Sequence, residues 1–267
     1  MITIYQQHSD IGYKSWAFPG KELGFQIIGD VKPSEAVIIG VEYPSTDDLA
    51  LVLQAADALK RMGMDKSNVT LDCPYLPYAR QDRACSPGEA FSLEVFISYL
   101  ATAHIGHICV ADVHSQVGLD LLKAKFETVT HVEQWACAMD LPKYDVLIAP
   151  DKGASEKVRL HAQVTNQGTD VVILSKTRQE GKVIYDQLAP GTLKGRLCVV
   201  DDICDGGATF EALGEMVRAT QQDVEVLDLY VTHGIFSKGL EKLSCLYDQI
   251  YTHNLMNTEL DSQVRVI

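Results

Sequence analysis

VVDDICDGGATF, residues 199–210, is the stretch that sets the predicted architecture of this chain. An apolar run over 197–200 predicts a buried strand that ends at Asp201 and Asp202. A turn of small residues follows, and the apolar residues after it recur at helical spacing: Phe210, Leu213, Met216 and Val217. A strand, a short loop and a helix in this order are typical of the βαβ units of parallel sheets.

The same alternation recurs along the whole chain. In the first half, strands are predicted at 36–39, 69–73 and 107–111, with helices that begin after Ser45 and at 91–100. In the second half, strands are predicted at 145–149, 171–174, 197–200, 224–231 and 249–252, with helices up to about 164 and after 210. The two series predict two similar α/β domains, 1–138 and 139–267, each a mostly parallel sheet flanked by helices.

Composition excludes several classes of partner. The chain has 36 acidic and 23 basic residues and a formal net charge of -13. This balance argues against nucleic-acid binding through a broad basic surface and against docking on anionic lipid. No apolar run approaches the roughly 18 residues of a membrane-spanning helix, and the N-terminus lacks a signal-peptide pattern. The seven cysteines are odd in number and contain no CxxC pair, whereas a secreted disulfide framework would show paired spacings. We therefore expect a cytoplasmic protein.

Two features of residues 199–210 predict a site for a sugar phosphate. Backbone N–H groups in the small-residue turn 205–209, at the start of a helix, can bind a phosphate. The adjacent carboxylates of Asp201 and Asp202 can accept hydrogen bonds from vicinal sugar hydroxyls. The alternative is an acidic helix cap followed by an ordinary glycine turn.

A second candidate site is the loop PYARQDR, residues 77–83. Arg80 and Arg83 place two guanidinium groups three residues apart in a loop that begins at a proline. Guanidinium groups bind phosphate oxygens in a bidentate manner, so the pair suits a polyphosphate. An exposed arginine-rich loop without a ligand is the alternative.

These two segments carry a family resemblance. Residues 199–210 resemble the ribose-5-phosphate loop shared by phosphoribosyltransferases and ribose-phosphate pyrophosphokinases, and residues 77–83 resemble the YARQDR segment of the pyrophosphokinases. Further matches follow in order: 18–22 is similar to F-x-D-G-E, 111–114 to the segment that contains DLH, 149–153 to SPD-x-G, 174–178 to the segment with the catalytic K-x-R, and 232–233 to ATH. The chain is identified as a short, divergent member of the ribose-phosphate pyrophosphokinase (PRPP synthetase) family.

The resemblance implies two phosphoribosyltransferase-like domains and a fixed set of roles. The implied enzyme transfers the diphosphoryl group of ATP to the anomeric hydroxyl of ribose 5-phosphate, with Mg²⁺ as cofactor, and is a homo-oligomer, a dimer or a hexamer. The implied catalytic residues are Lys176 and Arg178, on a flexible loop that closes over the reactants. The implied ATP-binding residues are Glu22, Arg80, Gln81, Asp82, Arg83 and His114; the ribose-phosphate residues are Asp201, Asp202, Asp205, Gly206, Gly207, Ala208 and Thr209; the metal ligands are His114 and Asp151.

The sequence departs from the family pattern at two sites. The phosphate loop of the family is usually D-T-G-G-T, whereas here it is DGGAT over 205–209, and Gly20 replaces the aspartate of the N-terminal motif. The chain is also shorter than typical synthetases. Three hypotheses therefore stand: a PRPP synthetase, a pyrophosphokinase that acts on a decorated ribose 5-phosphate such as ADP-ribose, and a non-catalytic regulatory homologue. The implied partners are ATP and one such acceptor, with neither nucleic acid nor membrane.

Overall fold

The structure, a computed structural model, describes residues 2–42, 44–133, 141–165, 169–179, 182–186, 188–260 and 263–267. At 164, 165, 178, 179, 182 and 258 the description is limited to the backbone. The chain divides into two compact units, unit 1 (Met1–Val132) and unit 2 (Glu133–Ile267). The expected domain boundary at 138/139 lies outside the described residues.

The described residues of unit 1 form a six-stranded sheet, a hairpin, three α-helices and a short 3-10 helix (Lys66–Asn68). In chain order these are β1 (Ile2–Gln6), β2 (Ser9–Asp10), β3 (Tyr13–Ala17), β4 (Leu23–Ile27), β5 (Val37–Val41), α1 (Thr46–Arg61), β6 (Val69–Asp72), α2 (Ser92–Leu100), β7 (His107–Ala111), α3 (Gln116–Lys125) and β8 (Thr128–Val132). The sheet order is β2-β1-β5-β6-β7-β8, and β3 pairs with β4. Strands β5 to β8 are parallel, whereas β1 is antiparallel to both of its neighbours.

Unit 2 contains a second six-stranded sheet. Its elements are β9 (Val146–Ala149), α4 (Ser155–Thr165), β10 (Asp170–Ile173), β11 (Lys176–Gln179), β12 (Lys182–Tyr185), β13 (Gly195–Cys204), α5 (Ala208–Thr220), β14 (Val224–Gly234), α6 (Glu241–Leu246), β15 (Ile250–Leu255) and β16 (Arg265–Val266). The sheet order is β10-β9-β13-β14-β15-β16, and every pair is parallel. The predicted class, mostly parallel sheets flanked by helices, is confirmed.

The continuous apolar run of β13 is explained by burial on both faces of the sheet. Leu197 and Val199 belong to one buried cluster, which includes side chains of α5. Cys198 and Val200 belong to a second cluster, which includes Val158 of α4. Because successive strand residues point to opposite faces, a strand covered by helices on both sides needs apolar residues at every position.

Strand β13 is longer than the sequence predicts. The expected end at Asp201 and Asp202 is wrong, because the strand continues through Cys204. Its parallel partner β14 continues beside it, and the register pairs Asp201 with Val231 and Ile203 with His233. The ladder satisfies the backbone while the polar side chains reach the carboxyl end of the sheet. A strand, instead of a loop, therefore carries the two carboxylates.

The segment expected to be a flexible catalytic loop begins as a β-hairpin. Strands β11 and β12 are antiparallel, with Lys176 opposite Tyr185 and Arg178 opposite Val183. The β-branched and aromatic residues of β12 favour extended structure, and antiparallel pairing satisfies the backbone of the charged strand. Lys176 is therefore held at the start of a strand in this structure.

Candidate active site

The glycine loop of unit 2, residues 205–209, turns the chain from β13 into α5. Gly207 precedes the helix at φ +79°, a left-handed conformation that glycine adopts without steric strain. The amides of Phe210 and Glu211 donate to the Gly207 carbonyl at 2.9 and 2.8 Å. The first amides of a helix, before its own hydrogen-bond ladder begins, point outward with the positive end of the helix dipole, so the start of α5 favours an anion.

Two side chains from the loop after β14 lie against the glycine loop. Ser237 Oγ donates to Asp205 Oδ1 at 2.6 Å, which ties the two loops together. The stem of Lys238 lies so close to Gly206 that a Cβ atom there would meet Lys238 Cε at 3.4 Å and Nζ at 3.8 Å. The exposed amine of Lys238 therefore adds a positive charge beside the predicted phosphate loop.

The paired carboxylates of β13 are held differently from each other. Asp202 is 5% exposed and forms an ion pair with Lys157 of α4 at 3.2 Å. The Asp202 amide donates to Asp201 Oδ1 at 2.9 Å. Burial, followed by the negative charges of Asp202 and Asp151, raises the pKa of Asp201 well above its ordinary value. Burial and these two charges thus disfavour the ionised form of Asp201, and a bound cation or a hydrogen-bond donor would stabilise that form.

Asp151 and Lys176 form a second ion pair at the carboxyl end of the same sheet. Lys176 Nζ lies 2.7 Å from Asp151 Oδ2, and the amides of Gly153 and Ala154 donate to Oδ1 at 2.8 and 3.2 Å. Burial alone would raise the pKa of Asp151. The ion pair with Lys176 and the two amide bonds outweigh burial, so the pKa of Asp151 is lowered and its carboxylate is charged.

The carboxylates of unit 2 have the donor chemistry that Mg²⁺ requires. Mg²⁺ binds oxygen ligands and is usually held by one or two carboxylates together with substrate phosphates. Asp151 supplies a charged carboxylate, and Asp201 lies close enough for that charge to raise its pKa. Within the described ranges, no three His, Cys, Asp or Glu side chains form a ready-made metal centre. These residues therefore fit a Mg²⁺ ion whose remaining ligands would come from the phosphates of the substrate.

Not every predicted residue of unit 2 has a described side chain. Arg178 lies in β11, two residues after Lys176, but its side chain is outside the described residues. Lys176, Asp151, Asp201 and Asp202 all lie at the carboxyl ends of neighbouring strands or on the adjacent hairpin. The predicted catalytic lysine and the predicted sugar-binding carboxylates therefore share one side of unit 2.

The arginine loop of unit 1 follows β6. Arg80, Gln81 and Arg83 are exposed and Asp82 is half-buried. The Gln81 amide donates to the Tyr78 carbonyl at 2.8 Å, and the Leu93 amide of α2 donates to the Gln81 carbonyl at 3.3 Å. The backbone is thus fixed at Gln81, and the neighbouring residues Arg80 and Arg83 are exposed.

His114 and Glu22 are the other predicted residues of unit 1. His114 follows β7, the neighbour of β6 in the sheet, and is exposed. A bond from the Ala111 amide to the Pro74 carbonyl, 2.9 Å long, joins the ends of these two strands, so His114 and the arginine loop follow neighbouring strand ends. Glu22 ends the turn between β3 and β4, where the Phe18 amide donates to its carbonyl at 2.8 Å.

Sequence reasoning missed two cations of unit 2, Lys157 and Lys238. Lys157 lies on α4 six residues after Asp151, and Lys238 lies five residues after His233 at the end of β14. Their positions just after the carboxyl ends of strands were a usable signal, because ligands bind at that edge of a parallel sheet.

Comparisons with known proteins agree with the motifs. Residues 7–103 match the family described as the N-terminal domain of ribose phosphate pyrophosphokinase. The chain is 27% identical over 256 residues to ribose-phosphate pyrophosphokinase of Pyrococcus furiosus, a match that covers 94% of this chain and 88% of that protein. It is 26% identical over 253 residues to the protein of the same name from Thermococcus kodakarensis, covering 94% and 87%.

The fold has a counterpart among solved structures. The crystal structure of phosphoribosylpyrophosphate synthetase from Mycobacterium smegmatis aligns with a TM-score of 0.79 at 22% identity, over 97% of this chain and 86% of that one. The two-unit α/β fold is therefore shared with that protein. None of the helices in the described part of this chain is long and apolar enough to cross a bilayer.

Proposed function

We propose that this divergent relative of the ribose-phosphate pyrophosphokinases transfers the diphosphoryl group of ATP to the anomeric hydroxyl of ribose 5-phosphate, giving PRPP and AMP. The observation that carries the proposal is the group of Asp151, Lys176, Asp201 and Asp202 beside the glycine loop of unit 2. The reaction is inferred from the names of the relatives, and these residues are the charged groups that such a reaction needs.

The acceptor would bind to the glycine loop and to the carboxylates of β13. Its 5-phosphate would receive hydrogen bonds from the amides of the first turn of α5, with Lys238 beside them. Asp201 and Asp202 would accept hydrogen bonds from the ribose hydroxyls and orient the anomeric carbon. Lys157 holds Asp202 at 3.2 Å and so fixes one of the two acceptors before the sugar arrives.

The transfer step displaces AMP from the β-phosphorus of ATP. The anomeric hydroxyl oxygen bonds to the β-phosphorus, the bond from that phosphorus to the α,β-bridging oxygen breaks, and the hydroxyl proton is released. Negative charge grows on the bridging and non-bridging oxygens. Lys176, which is paired with Asp151 in this structure, would stabilise this negative charge together with Arg178.

ATP would be bound by unit 1, and Mg²⁺ by carboxylate and phosphate oxygens. Arg80 and Arg83 would hold the triphosphate, with Gln81, Asp82, His114 and Glu22 around the nucleotide. Asp151 is the predicted Mg²⁺ ligand of unit 2, and His114 is the predicted Mg²⁺ ligand of unit 1. When bound, the cation supplies charge neutralisation at the phosphate oxygens.

A second acceptor remains a candidate. The loop DGGAT replaces the larger threonine of the family pattern with Gly206, and the amine of Lys238 lies beside this position. A decorated ribose 5-phosphate such as ADP-ribose places additional phosphate charge next to the sugar. The small residue Gly206 leaves room for a larger acceptor, and the nearby Lys238 amine would attract its additional phosphate charge. Both features favour a decorated ribose 5-phosphate over ribose 5-phosphate itself.

The test offers both acceptors side by side. The purified protein is incubated with Mg²⁺-ATP alone, with added ribose 5-phosphate, or with added ADP-ribose, and AMP and product masses are measured. We expect AMP only with an acceptor, and a product that is heavier than ribose 5-phosphate by one diphosphoryl group. A diphosphorylated ADP-ribose instead would select the second acceptor. No AMP with either acceptor would favour the regulatory homologue and refute the enzymatic proposal.

We also propose a cytoplasmic homo-oligomer without nucleic-acid or membrane partners. The net charge of -13 supports the absence of a nucleic-acid partner, and six cysteines outside any disulfide among the described residues support a reducing compartment. Light scattering of the purified chain measures its mass, and a monomer at assay concentration would refute the oligomer.

A further inference from the structure

Tyr185 of β12 is a buried residue that the proposed reaction does not yet use. Only 6% of the residue is exposed, and its ring belongs to the buried cluster of unit 2 that includes Leu174 and Phe210. In the antiparallel pair of β11 and β12 it lies directly opposite Lys176. The ring therefore belongs to the hydrophobic core, and the residue lies next to the predicted catalytic lysine in the hairpin.

The hydroxyl of Tyr185 has no hydrogen-bond partner within the described part of the chain. Tyr144, a comparably buried tyrosine, donates its hydroxyl to Asp228 Oδ2 at 2.7 Å. A buried hydroxyl that lacks a partner costs free energy, and phenylalanine would fill the same space without that cost. An unpaired hydroxyl at this place indicates a partner that the chain itself does not supply.

The groups around Tyr185 indicate what that partner is. Burial first, and then the negative charges of Asp151 and Asp201, raise the pKa of the Tyr185 hydroxyl above its ordinary value, so it remains a neutral donor. Asp151 is held at 2.7 Å by Lys176, the residue opposite Tyr185. A phosphorylated ligand bound among these groups brings oxygens that need donors, and the charged carboxylate of Asp151 can only accept.

We propose that the Tyr185 hydroxyl donates a hydrogen bond to an anionic phosphoryl oxygen of the substrate bound beside Lys176 and Asp151. The inference rests on the proposed function, because it assigns Tyr185 to the transferred diphosphoryl group. Tyr185 is then a substrate-binding residue that adds a neutral donor next to the catalytic cation. The bond requires no deprotonation of the tyrosine.

The test compares Tyr185→Phe with Tyr144→Phe. Tyr185→Phe loses a hydroxyl that has no partner in the described part of the fold, so its melting temperature stays at or above that of the wild type. Its kcat/KM for Mg²⁺-ATP falls about three- to tenfold, which corresponds to the free energy of one hydrogen bond. Tyr144→Phe loses a bond within the fold, so its melting temperature falls while kcat/KM is unchanged. An unchanged kcat/KM in Tyr185→Phe would overturn the assignment.

A second readout separates this inference from the proposed function. Inorganic pyrophosphate with Mg²⁺ is added to each protein, and the shift in melting temperature is measured. We expect a shift in the wild type and Tyr144→Phe that is clearly smaller in Tyr185→Phe, even if the wild type forms no AMP. Equal shifts in all three proteins, or no shift in the wild type, would overturn the inference.

Discussion

Replacing Lys176 by Met removes a positive charge while keeping most of the side chain's length. In the structure its amine lies 2.7 Å from Asp151 Oδ2, with 20% of the Lys176 side chain and 35% of the Asp151 side chain exposed. The substitution breaks this pair but leaves Asp151 with the amide bonds from Gly153 and Ala154. Two effects follow, one on stability and one on turnover.

The two effects differ in size. A partly exposed ion pair contributes up to about 1 kcal/mol, so Lys176→Met should lower the melting temperature by roughly 2–4 °C. A positioned donor to charge that develops in the transition state contributes about 2.7–4 kcal/mol, so turnover should fall about 10²- to 10³-fold. The pKa of Asp151 should rise, because burial raises it and the opposing lysine is gone.

The assay measures AMP formation and melting temperature on the same preparations. The matched control is Lys66→Met, which removes an ion pair of the same length, 2.7 Å to Glu127, at an exposed position in unit 1. We expect the control to keep its turnover. If Lys176→Met retains turnover within threefold of the wild type, the assignment of Lys176 as the catalytic cation is wrong.

Three further predictions concern single side chains. Lys21→Gly should raise the free energy of unfolding by about 0.5–1 kcal/mol in urea titrations, since Lys21 has a φ of +71°; lower stability would contradict this. Burial raises the pKa of Asp228, so its carboxyl destabilises the fold as pH rises above the ordinary value near 3.8. The melting temperature of Asp228→Asn minus that of the wild type should therefore increase between pH 4 and pH 7. A difference that stays constant over this range would contradict the raised pKa of Asp228. Lys238→Ala should raise KM for ribose 5-phosphate severalfold without changing KM for ATP, and an equal change in both would exclude a role at the acceptor.

The sequence predicts β5, β6 and β7 of unit 1 and β9, β10, β13, β14 and β15 of unit 2 because their apolar patterns are strong, whereas β1, β2, β8 and β16 were not predicted. The continuous run over 197–200 indicates a strand covered on both faces, and β13 is covered by two clusters. The Ser45 cap of α1 is confirmed, with reciprocal bonds of 3.1 Å between Ser45 and Asp48.

The predicted ends of the strands were less accurate for a physical reason. Asp201 and Asp202 are typical of a loop, but β14 continues beside them and provides backbone partners through Cys204. Local sequence does not reveal how far a neighbouring strand extends. The hairpin of β11 and β12 was missed because a charged strand on one side and a short apolar strand on the other show no shared pattern.

The candidate site could be predicted only where its residues form motifs. Asp151 and Lys176 were named from separate segments, and the structure brings them to 2.7 Å. Tyr185 was not named, because a buried tyrosine in a strand has the same sequence pattern as an ordinary core residue. Its unpaired hydroxyl and its position opposite Lys176 are properties of the fold, so no spacing in the sequence predicts them.

Diphosphoryl transfer requires that the β- and γ-phosphates of ATP move together to the acceptor. The direct measurement uses ATP labelled with ³²P at the γ-position or at the α-position, with Mg²⁺ and ribose 5-phosphate, and separates the products. We predict that γ-label appears only in the sugar product and α-label only in AMP. Label from the γ-position in inorganic phosphate, with ADP as the other product, would contradict diphosphoryl transfer and with it the function proposed for this chain.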